Sequence, residues 1–424
     1  MADKPSHITG SLITIGDEIL LGDILNGNAR HIAAELRARG FLLDRIITVG
    51  DIEDDIVENL GRCLSGSRFV IVTGGLGPTD DDRTCAAVSR AMERPLIRNR
   101  DYAQWLRDRL GERGLNWSSE LERMAALPQG AVKLGMDSAG FSLVHEDIPC
   151  YFLPGVPEEV ALLLGKEVIP DLEARFPNRC AYLKHIIRIQ GLLEAQINER
   201  LRSLAPVAGV AIGYYPQGGE NWVSIFVAAR NERECLDLIK SAKDEVVALI
   251  GTRHVSGHND DCLEKVVGRL LRERSWKLVL AESCTGGLLA RKITGIPGAS
   301  DYLDRGLVTY SNRAKSELLG VSEDLLSAHG AVSGQVARAM ARGAAKNAGA
   351  EVAVAITGIA GPGGGSAEKP VGTVFIACVT PTGEKVEKYC FGTGTREQIQ
   401  ENSAQAALAM LWKLLAENGP LVCD

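Results

Sequence analysis

Short strand-like runs that end in glycine and lead into helical stretches constrain this chain more than any other feature. "SLITIG" (11–16) precedes a helical pattern at 28–40, and "FVIVTGG" (69–75) precedes another at 82–94. The alternation returns at 276–295, where "WKLVLAES" is followed by "GGLLARKITG". Strands and helices that alternate at this spacing predict βαβ units. We therefore expect an α/β protein, with two α/β domains whose mainly parallel sheets are flanked by helices.

A middle segment has a different pattern. "HIIRIQG" and "ENWVSIFVAAR" alternate apolar and polar residues, which is typical of antiparallel strands, and helical stretches are predicted at 194–204 and 232–250. This pattern predicts a small α+β middle domain that joins the two α/β domains.

Domain boundaries follow from these patterns. "GTRHVSGHND" (251–260) is rich in glycine and small polar residues, has no hydrophobic period and is interpreted as a linker. The predicted domains are 1–172, 173–252 and 258–424. The first ten residues are expected to be a frayed end.

Composition excludes several classes of protein. The 424 residues are too many for one ordinary domain, and the net charge of −7 disfavours a nucleic-acid partner. Ten cysteines without a C-x-x-C pair indicate free thiols in a reducing compartment, so we expect a cytoplasmic protein without a zinc site. No apolar stretch approaches about 20 residues, so no membrane association is expected.

A cluster of small polar residues follows the predicted strand "KLVLAE" (277–282). Ser283, Cys284 and Thr285 occupy the predicted turn, where free backbone N–H groups converge and a helix dipole favours negative charge. The N–H groups of Gly286 and Gly287 are candidate donors to a tetrahedral oxyanion. The alternative is that Ser283 or Thr285 simply caps the helix, which is the commoner use of these residue types.

A second glycine-rich loop and a lysine supply context. "AITGIAGPGGGSAEKPVGT" (355–373) places Thr357 at a strand end, where open α/β sheets bind ligands. Tyr310 and Lys315 lie about one helical turn apart at another strand-to-helix junction. A desolvated lysine can take the proton of a serine, as in Ser-Lys hydrolases. The alternative is that Lys315 is a solvated surface charge.

Five ordered motifs then indicate a family. "AESCTGG", "GLVTYSN-x-x-K", "HGAVS", "GIAGPGGG" and "KPVGTV" closely resemble the C-terminal domain of the CinA family, the PncC-type nicotinamide-nucleotide amidases, over residues 258–418. The resemblance implies hydrolysis of the carboxamide of nicotinamide mononucleotide to nicotinate mononucleotide and ammonia, in pyridine nucleotide recycling. It implies no cofactor for this reaction.

The resemblance also assigns roles to residues. Ser283 is the implied nucleophile, and Lys315 and Tyr310 are implied in base or proton-transfer roles. The residues implied in substrate binding are Thr285, Gly286, Gly287, Thr357, Gly358, Gly361 and Arg396. Gln400 departs from the pattern, because related sequences often carry a second basic residue one turn after Arg396, and its neutral side chain is expected to weaken phosphate binding.

Cys284 is the rival nucleophile. A helix N-terminus lowers the pKa of a thiol, but no cysteine-histidine pairing is evident in the sequence. The sequence favours Ser283, with Cys284 packing or tuning the turn.

The N-terminal segment has a resemblance of its own. "TIGDEILLGDILNGNARHIAAEL", "VTGGLGPTDDD" and "FLPGVPEEV" are similar to the molybdopterin-binding MoaB/MogA-type domain of full-length CinA proteins, over about residues 9–172. The resemblance implies an ADP-ribose pyrophosphatase in some members. A glycine loop after a strand can cradle phosphate, which points to Gly74, Gly75, Gly77 and Thr79.

Carboxylates near this loop suggest a divalent cation. The predicted ligands are Asp17, Asp80 and Asp81, with Glu18, Asp23, Asn28 and Asp82 converging on the same mouth. The alternative is that these acids are capping and solvated turn residues. Three departures from related sequences bear on the activity: Asn26-Gly27-Asn28, Ala86 in place of a glutamate, and "LGMDSAGF" (134–141) in place of an Asn-Pro loop.

The middle segment resembles the KH-like domain of full-length CinA. It has no basic GXXG loop, so a structural role is favoured over nucleic-acid binding. His254 and His258 lie in the predicted linker and are assigned no ligand role.

Two expectations concern the whole protein. Related proteins imply a homodimer, and the alternative to an enzyme is a competence- or DNA-damage-associated binding protein or scaffold without turnover.

Overall fold

The computed structural model describes residues 7–112, 124–135, 138–392 and 394–416. It divides into two compact units, Met1–Leu183 with Val227–Leu238 and Lys184–Phe226 with Ile239–Asp424. The predicted fold class is confirmed, since each unit contains a mixed sheet with parallel strands flanked by helices. No helix within the described ranges is both long and apolar enough to cross a membrane.

A six-stranded sheet organises the N-terminal unit, in the order β2-β1-β3-β8-β7-β6. Neighbouring strands from β2 to β8 are parallel, and β7 and β6 continue the sheet with antiparallel pairing. The strands are β1 (Ile8–Ile15), β2 (Phe41–Val49), β3 (Val70–Thr73), β4 (Leu96–Arg98), β5 (Ala126–Pro128), β6 (Val132–Lys133), β7 (Phe141–His145) and β8 (Ile148–Leu153), with β4 and β5 forming a separate ladder.

Helices cover both faces of this sheet. They are α1 (Asp17–Leu20), α2 (Gly27–Ala38), α3 (Glu53–Leu64), α4 (Thr84–Ala91), α5 (Arg100–Glu112), α6 (Pro157–Leu163), the π-helical turn Leu164–Val168 and α7 (Ile169–Arg175). Successive residues of a strand point to opposite faces. Leu12 accordingly packs with α2, α6 and α7, whereas Ile13 packs with α3, α4 and α5.

The expectation of a frayed N-terminus is wrong for residues 8–10, and residues 1–6 lie outside the described ranges. Ile8 begins β1 and is buried, and Gly10 lies against the ring of Phe69, where a Cβ would come within 2.3 Å of a ring carbon. Residues 8–10 form a strand because they pair in parallel with β2. The residue types of this segment did not reveal that pairing.

The middle segment forms a four-stranded sheet in the order β10-β11-β9-β12. Its elements are β9 (Ala181–Ile189), α8 (Glu194–Leu201), β10 (Val210–Gln217), β11 (Glu220–Ala229), α9 (Glu232–Ile250), the 3₁₀ turn Thr252–His254 and β12 (Val255–His258).

The predicted linker at 251–260 is therefore wrong in part. Residues 255–258 form β12 and pair antiparallel with β9, and Val255 and Ser256 are buried. A four-residue edge strand has too few side chains to show a period, so backbone pairing decides its structure. His258 contacts His185 across this pair, with 3.1 Å between Nδ1 and Nε2.

A five-stranded sheet organises the C-terminal segment, in the order β14-β13-β15-β16-β17. The strands are β13 (Leu278–Glu282), β14 (Leu303–Val308), β15 (Val352–Gly358), β16 (Thr373–Thr380) and β17 (Gly383–Cys390). β13 pairs in parallel with β14 and β15, whereas β16 and β17 are added by antiparallel pairing.

Helices again form a layer on each face of the sheet. They are α10 (Leu263–Glu273), α11 (Leu288–Thr294), α12 (Asn312–Leu319), α13 (Glu323–His329), α14 (Gly334–Ala348) and α15 (Arg396–Ala416), with a 3₁₀ turn at Ala299–Asp301. Leu278 and Leu280 of β13 pack with α10, α11 and α15, whereas Val279 and Ala281 pack with α12, α13 and α14. This alternation of side chains between the two faces continues beyond the end of β13 and positions the residues of the candidate site.

Candidate functional site

The carboxyl ends of three parallel strands meet at one edge of the C-terminal sheet. Glu282 at the end of β13 is in register with Val308 of β14 and Ile356 of β15. The Ser283 N–H donates to the Ile356 carbonyl at 3.0 Å, and the Thr309 N–H donates to the Glu282 carbonyl at 2.7 Å. These bonds fix the backbone from which the candidate catalytic side chains project.

Ser283 and Lys315 are in direct contact. Lys315 Nζ lies 3.1 Å from Ser283 Oγ and also donates to the carbonyl oxygens of Thr309 (2.8 Å) and Tyr310 (3.4 Å). Lys315 is only 1% exposed, so the alternative of a solvated surface charge is wrong. It lies one turn into α12, whose first turn is capped by the Ser311 side chain.

Burial lowers the pKa of the Lys315 ammonium. Desolvation is the larger influence on this pKa, and a charge on Cys284 acts in the opposite direction and raises it. The pKa shift therefore favours the neutral amine, which is the form that can accept the Ser283 proton.

Cys284 lies in a different environment from Ser283. It is buried in the apolar cluster with α10, α11 and α15, on the opposite side of the sheet from α12. Burial raises the pKa of the Cys284 thiol to about 12, which disfavours the thiolate. Of the two rival nucleophiles, only Ser283 has a candidate base within hydrogen-bonding distance.

The turn after Ser283 differs from the sequence prediction. The Gly286 N–H donates to the Ser283 carbonyl at 3.2 Å, and the Gly287 N–H donates to Glu282 Oε2 at 3.1 Å. Both glycines have positive φ, which this tight turn requires. The prediction that these two N–H groups are free for an oxyanion is therefore wrong.

Glu282 caps the helix that follows this turn. Its buried carboxylate also accepts hydrogen bonds from the backbone N–H groups of Leu289 (3.1 Å) and Ala290 (2.8 Å) in the first turn of α11. The alternative that Ser283 or Thr285 caps this helix is wrong as well. Sequence reasoning missed Glu282, because it ends β13 and lies six residues before the start of α11, outside the positions where a cap is sought in a sequence.

Thr285 retains unused hydrogen-bonding capacity. It is 3% exposed, and its Oγ1 is buried without a hydrogen-bond partner among the described residues. The carbonyl of the preceding residue, Cys284, accepts a hydrogen bond of 2.7 Å from Gln400 Nε2. Gln400, which the sequence comparison treated as a lost phosphate contact, is thus bonded to the turn that carries the nucleophile.

Tyr310 and Arg396 form part of the rim. Arg396 donates to the Tyr310 hydroxyl at 3.0 Å and to the Gly361 carbonyl at 2.7 Å. Tyr310 is 62% exposed, and it reaches Lys315 through its carbonyl oxygen rather than its hydroxyl. Tyr310 therefore lies beside Arg396 at the rim of the site. A role of Tyr310 in proton transfer stays a prediction.

The glycine-rich loop has internal supports. The Thr357 hydroxyl donates to the Ala331 carbonyl at 2.8 Å, and Lys369 Nζ donates to the carbonyls of Val332 (2.8 Å) and His329 (3.1 Å). The structure therefore brings "HGAVS" to this site, with Lys369 as a support that the sequence did not predict.

Gly358 has a packing role in the described arrangement. A Cβ at this position would lie 2.6 Å from Val374 Cγ2 on the neighbouring strand. Glycine is thus required here by close strand packing, which is a separate reason from the predicted substrate contact.

The N-terminal glycine loop also differs from its prediction. The N–H groups of Gly77 (2.7 Å) and Thr79 (2.8 Å) donate to the carboxylate of Asp82, and the Gly74 N–H donates to the Leu153 carbonyl at 3.1 Å. The predicted phosphate cradle is thus filled by groups of the chain itself. A phosphate on Gly77 and Thr79 would have to displace Asp82.

Carboxylates gather near this loop. The backbone N–H groups of Asp17 and Asp51 each donate to the other residue's carboxylate, at 3.0 and 3.3 Å. Burial, and then the charges of Asp17, Glu18 and Asp81, raise the pKa of Asp51. The sequence did not single out Asp51, although it follows β2 at the same edge of the sheet.

The predicted metal ligands do not fit a metal centre. Across the described ranges, no group of three or more His, Cys, Asp or Glu side chains converges as ligands would. This includes Asp17, Asp80 and Asp81, and the Asn28 side chain donates to the Gly155 carbonyl at 2.8 Å. We therefore derive no step through a metal ion.

A cavity of about 690 Å³ lies beside this loop. Gly74, Gly75 and Asp81 line one part, and Trp105 and Arg109 line another. Ala139, which belongs to the departure "LGMDSAGF" (134–141), also lines this cavity, and residues 136 and 137 of the same segment lie outside the described ranges.

Family models match the three segments of the chain. Residues 11–174 match the "Probable molybdopterin binding domain", residues 184–254 the "Damage-inducible protein CinA KH domain" and residues 260–415 the "CinA C-terminal domain".

Full-length relatives give the same result. A "CinA-like protein" of Syntrophobacter fumaroxidans is 61% identical over 424 residues and covers 100% of both chains. Another, of Geobacter sulfurreducens, is 42% identical over 407 residues, covering 95% of this chain and 98% of its own. A solved structure, the "competence/damage inducible protein CihA from Agrobacterium tumefaciens", is 45% identical, covers 35% of this chain and 91% of that chain, and gives a TM-score of 0.35. The family models and the full-length relatives confirm the resemblance predicted from the motifs: this chain belongs to the CinA family.

Proposed function

We propose that the C-terminal domain is a serine amidohydrolase that converts nicotinamide mononucleotide to nicotinate mononucleotide and ammonia. The observation that carries the proposal is the contact of 3.1 Å between Lys315 Nζ and Ser283 Oγ in a buried setting. The motif resemblance supplies the substrate, and the lowered pKa of Lys315 supports its role as a base.

The first half-reaction acylates the enzyme. Neutral Lys315 takes the proton from the Ser283 hydroxyl as its oxygen attacks the carboxamide carbon, which gives a tetrahedral oxyanion. When this intermediate collapses, the Lys315 ammonium returns the proton to the leaving nitrogen, and ammonia departs. Water then attacks the acyl-enzyme with Lys315 as base, which releases nicotinate mononucleotide and restores the serine hydroxyl.

The rim residues fit the rest of this substrate. The guanidinium of Arg396 can bind the 5′-phosphate, and the exposed ring of Tyr310 can contact the cationic pyridinium. The pyridinium withdraws electrons from its carboxamide, so attack by a serine needs no metal-bound water.

A pair of variants tests the proposal in the full chain. We expect wild-type protein to release ammonia from nicotinamide mononucleotide, and Ser283→Ala to lower kcat by about 10³-fold or more, because the nucleophile is lost. Cys284→Ala is the matched control and should keep kcat within a few-fold. Near-normal turnover by Ser283→Ala, or loss of turnover only in Cys284→Ala, would contradict the serine mechanism.

The alternative whole-protein function is a competence- or damage-associated binding protein without turnover. The net charge of −7 weighs against electrostatic binding to DNA. Salt-dependent DNA binding by a protein that leaves nicotinamide mononucleotide intact would favour that alternative.

The proposal does not extend to an ADP-ribose pyrophosphatase with a divalent metal. That activity stays a prediction from the N-terminal resemblance. Two observations weigh against it, namely the carboxylate of Asp82 on the Gly77 and Thr79 amides and the lack of three converging metal ligands among the described residues.

A further inference from the structure

Gln400 lies in the first turns of α15 and reaches the turn that carries the nucleophile. Its Nε2 donates to the carbonyl oxygen of Cys284 at 2.7 Å, across 116 positions of sequence. The same turn is held from its other end by the Glu282 carboxylate, which binds the Gly287 N–H. The peptide between Cys284 and Thr285 is therefore fixed by a side chain from a distant helix.

The geometry of the Cys284–Thr285 peptide determines where the Thr285 N–H points when Gln400 holds the Cys284 carbonyl. The only cis peptide in the described chain is Gly361–Pro362, so the Cys284–Thr285 peptide is trans. In a trans peptide the C=O and the following N–H point in opposite directions. With the Cys284 carbonyl held by Gln400, the Thr285 N–H points away from Gln400.

Within the described turn the N–H groups of Cys284 and Thr285 have no backbone acceptor, and Thr285 also carries a hydroxyl without a partner. The amides of Gly286 and Gly287 are bonded within the turn, and the Ser283 amide is bonded to Ile356. Thr285 Oγ1 is buried without a partner in the described structure. A buried hydroxyl without a partner is costly in a resting protein, and such groups are found where a ligand supplies the partner.

We propose that Gln400 is a positioning residue that holds the Cys284–Thr285 peptide, so that the N–H and hydroxyl of Thr285 donate to the oxyanion formed when Ser283 attacks the substrate. This inference rests on the proposed amidase function. It replaces Gly286 and Gly287 as the predicted oxyanion donors, because their N–H groups are already bonded.

The family resemblance suggests a different role for position 400. A basic residue there would contact the substrate phosphate and would affect substrate binding, seen mainly in KM. An oxyanion contact acts in the transition state and appears in kcat. The two roles are therefore separable by steady-state kinetics.

Gln400→Glu is the central variant, because it keeps the side-chain shape and replaces the amide donor by an acceptor that repels the Cys284 carbonyl. Gln398→Glu is the matched control, because it adds the same charge two residues away and retains the oxygen that accepts from the Thr395 N–H. Thr285→Val removes the hydroxyl at nearly constant volume, and Thr285→Ser retains it. Thermal unfolding of each full-length variant checks that it is folded.

We expect Gln400→Glu and Thr285→Val each to lower kcat for nicotinamide mononucleotide by about 10- to 10³-fold, with KM within about threefold of wild type. Thr285→Ser and Gln398→Glu should stay within about fivefold of wild type in kcat. The Gln400→Glu/Thr285→Val double variant should lose less than the product of the single effects, since both act on one contact. A normal kcat in Gln400→Glu, or a change in KM alone, would overturn the inference.

A second reaction separates this inference from the identity of the substrate. Diisopropyl fluorophosphate phosphorylates an activated serine, with fluoride leaving and the serine proton passing to the base, and also places a developing oxyanion beside the nucleophile. Labelling measured by intact mass should be slower in Gln400→Glu and Thr285→Val than in wild type, whether or not nicotinamide mononucleotide is turned over. Equal labelling rates would overturn the role of Gln400 alone, and no labelling of wild type with no ammonia release would overturn both proposals.

Discussion

Ser283 and Cys284 are neighbours in sequence but face opposite layers of the protein. Residues along β13 alternate between two apolar clusters, and Cys284 packs with Leu278 and Leu280 in the cluster of α10, α11 and α15. Ser283 instead meets Lys315, which lies on α12 in the other layer. The periodicity of a strand thus decides which of two adjacent nucleophiles meets the base.

The pH dependence of the reaction is predicted at the same scale. The active form of Lys315 is the neutral amine, so kcat/KM should rise with pH and level off above the pKa of Lys315 in the free enzyme. Burial lowers that pKa from its ordinary value of 10.5. The plateau should therefore begin below pH 10.5, and activity should fall as pH decreases through the lowered pKa.

Initial rates of ammonia release between about pH 6 and pH 10 measure this profile. The stability of the protein over the same range, followed by circular dichroism, separates titration of the base from unfolding. A kcat/KM that is flat across the range, or that falls as pH rises, would contradict a lysine base.

At the scale of elements, the end of β13 and the start of α11 are joined by one carboxylate. Glu282 binds three backbone N–H groups, of Gly287, Leu289 and Ala290. A negative charge at a helix N-terminus is stabilised by the helix dipole, and the buried N–H groups have no water to replace it. The carboxylate therefore determines the shape of the turn that holds Ser283.

Glu282→Gln should loosen this junction, because the amide offers one acceptor oxygen and turns a donor toward backbone donors. We expect a loss of about 1–3 kcal/mol of local stability, seen as faster hydrogen exchange in residues 287–295, together with a lower kcat. Glu323→Gln, in the exposed first turn of α13, is the matched control and should change neither. Unchanged exchange at 287–295 in Glu282→Gln would show that the cap does not hold the turn.

At the scale of the whole molecule, the two α/β sheets carry different sets of groups at their strand ends. The C-terminal edge has a buried serine–lysine contact and an arginine at its rim, whereas the N-terminal edge has carboxylates around Asp51. The two sites are thus expected to differ in chemistry although their sheets are similar. The predicted homodimer stays a prediction that sedimentation velocity can check.

At the N-terminal site, the family resemblance and the described contacts predict different activities, and one assay distinguishes them. The resemblance implies release of AMP from ADP-ribose with a divalent metal. The described geometry implies none, because Asp82 occupies the Gly77 and Thr79 amides and no three ligands converge. We expect the full chain with Mg²⁺ or Mn²⁺ to release no more AMP from ADP-ribose than the same mixture without protein, and a clear excess over that blank would favour the pyrophosphatase.

The sequence by itself determined the fold class, the alternation of strands and helices in the two α/β domains and the family. These depend on local periodicity and on glycine and turn residues, which are properties of short stretches. It also selected Ser283, Lys315, Thr357 and Arg396 through their motifs, although it left open whether Lys315 was a base or a surface charge.

Tertiary structure decided the questions that depend on contacts between distant residues. It buried Lys315 against Ser283, bonded Gln400 to the carbonyl of Cys284, and paired residues 255–258 with β9. It also showed that the amides of Gly286 and Gly287 are occupied, since Glu282 and the Ser283 carbonyl accept their hydrogen bonds. A hydrogen-bond donor is free or occupied according to its neighbours in space, and that information is absent from residue type and spacing.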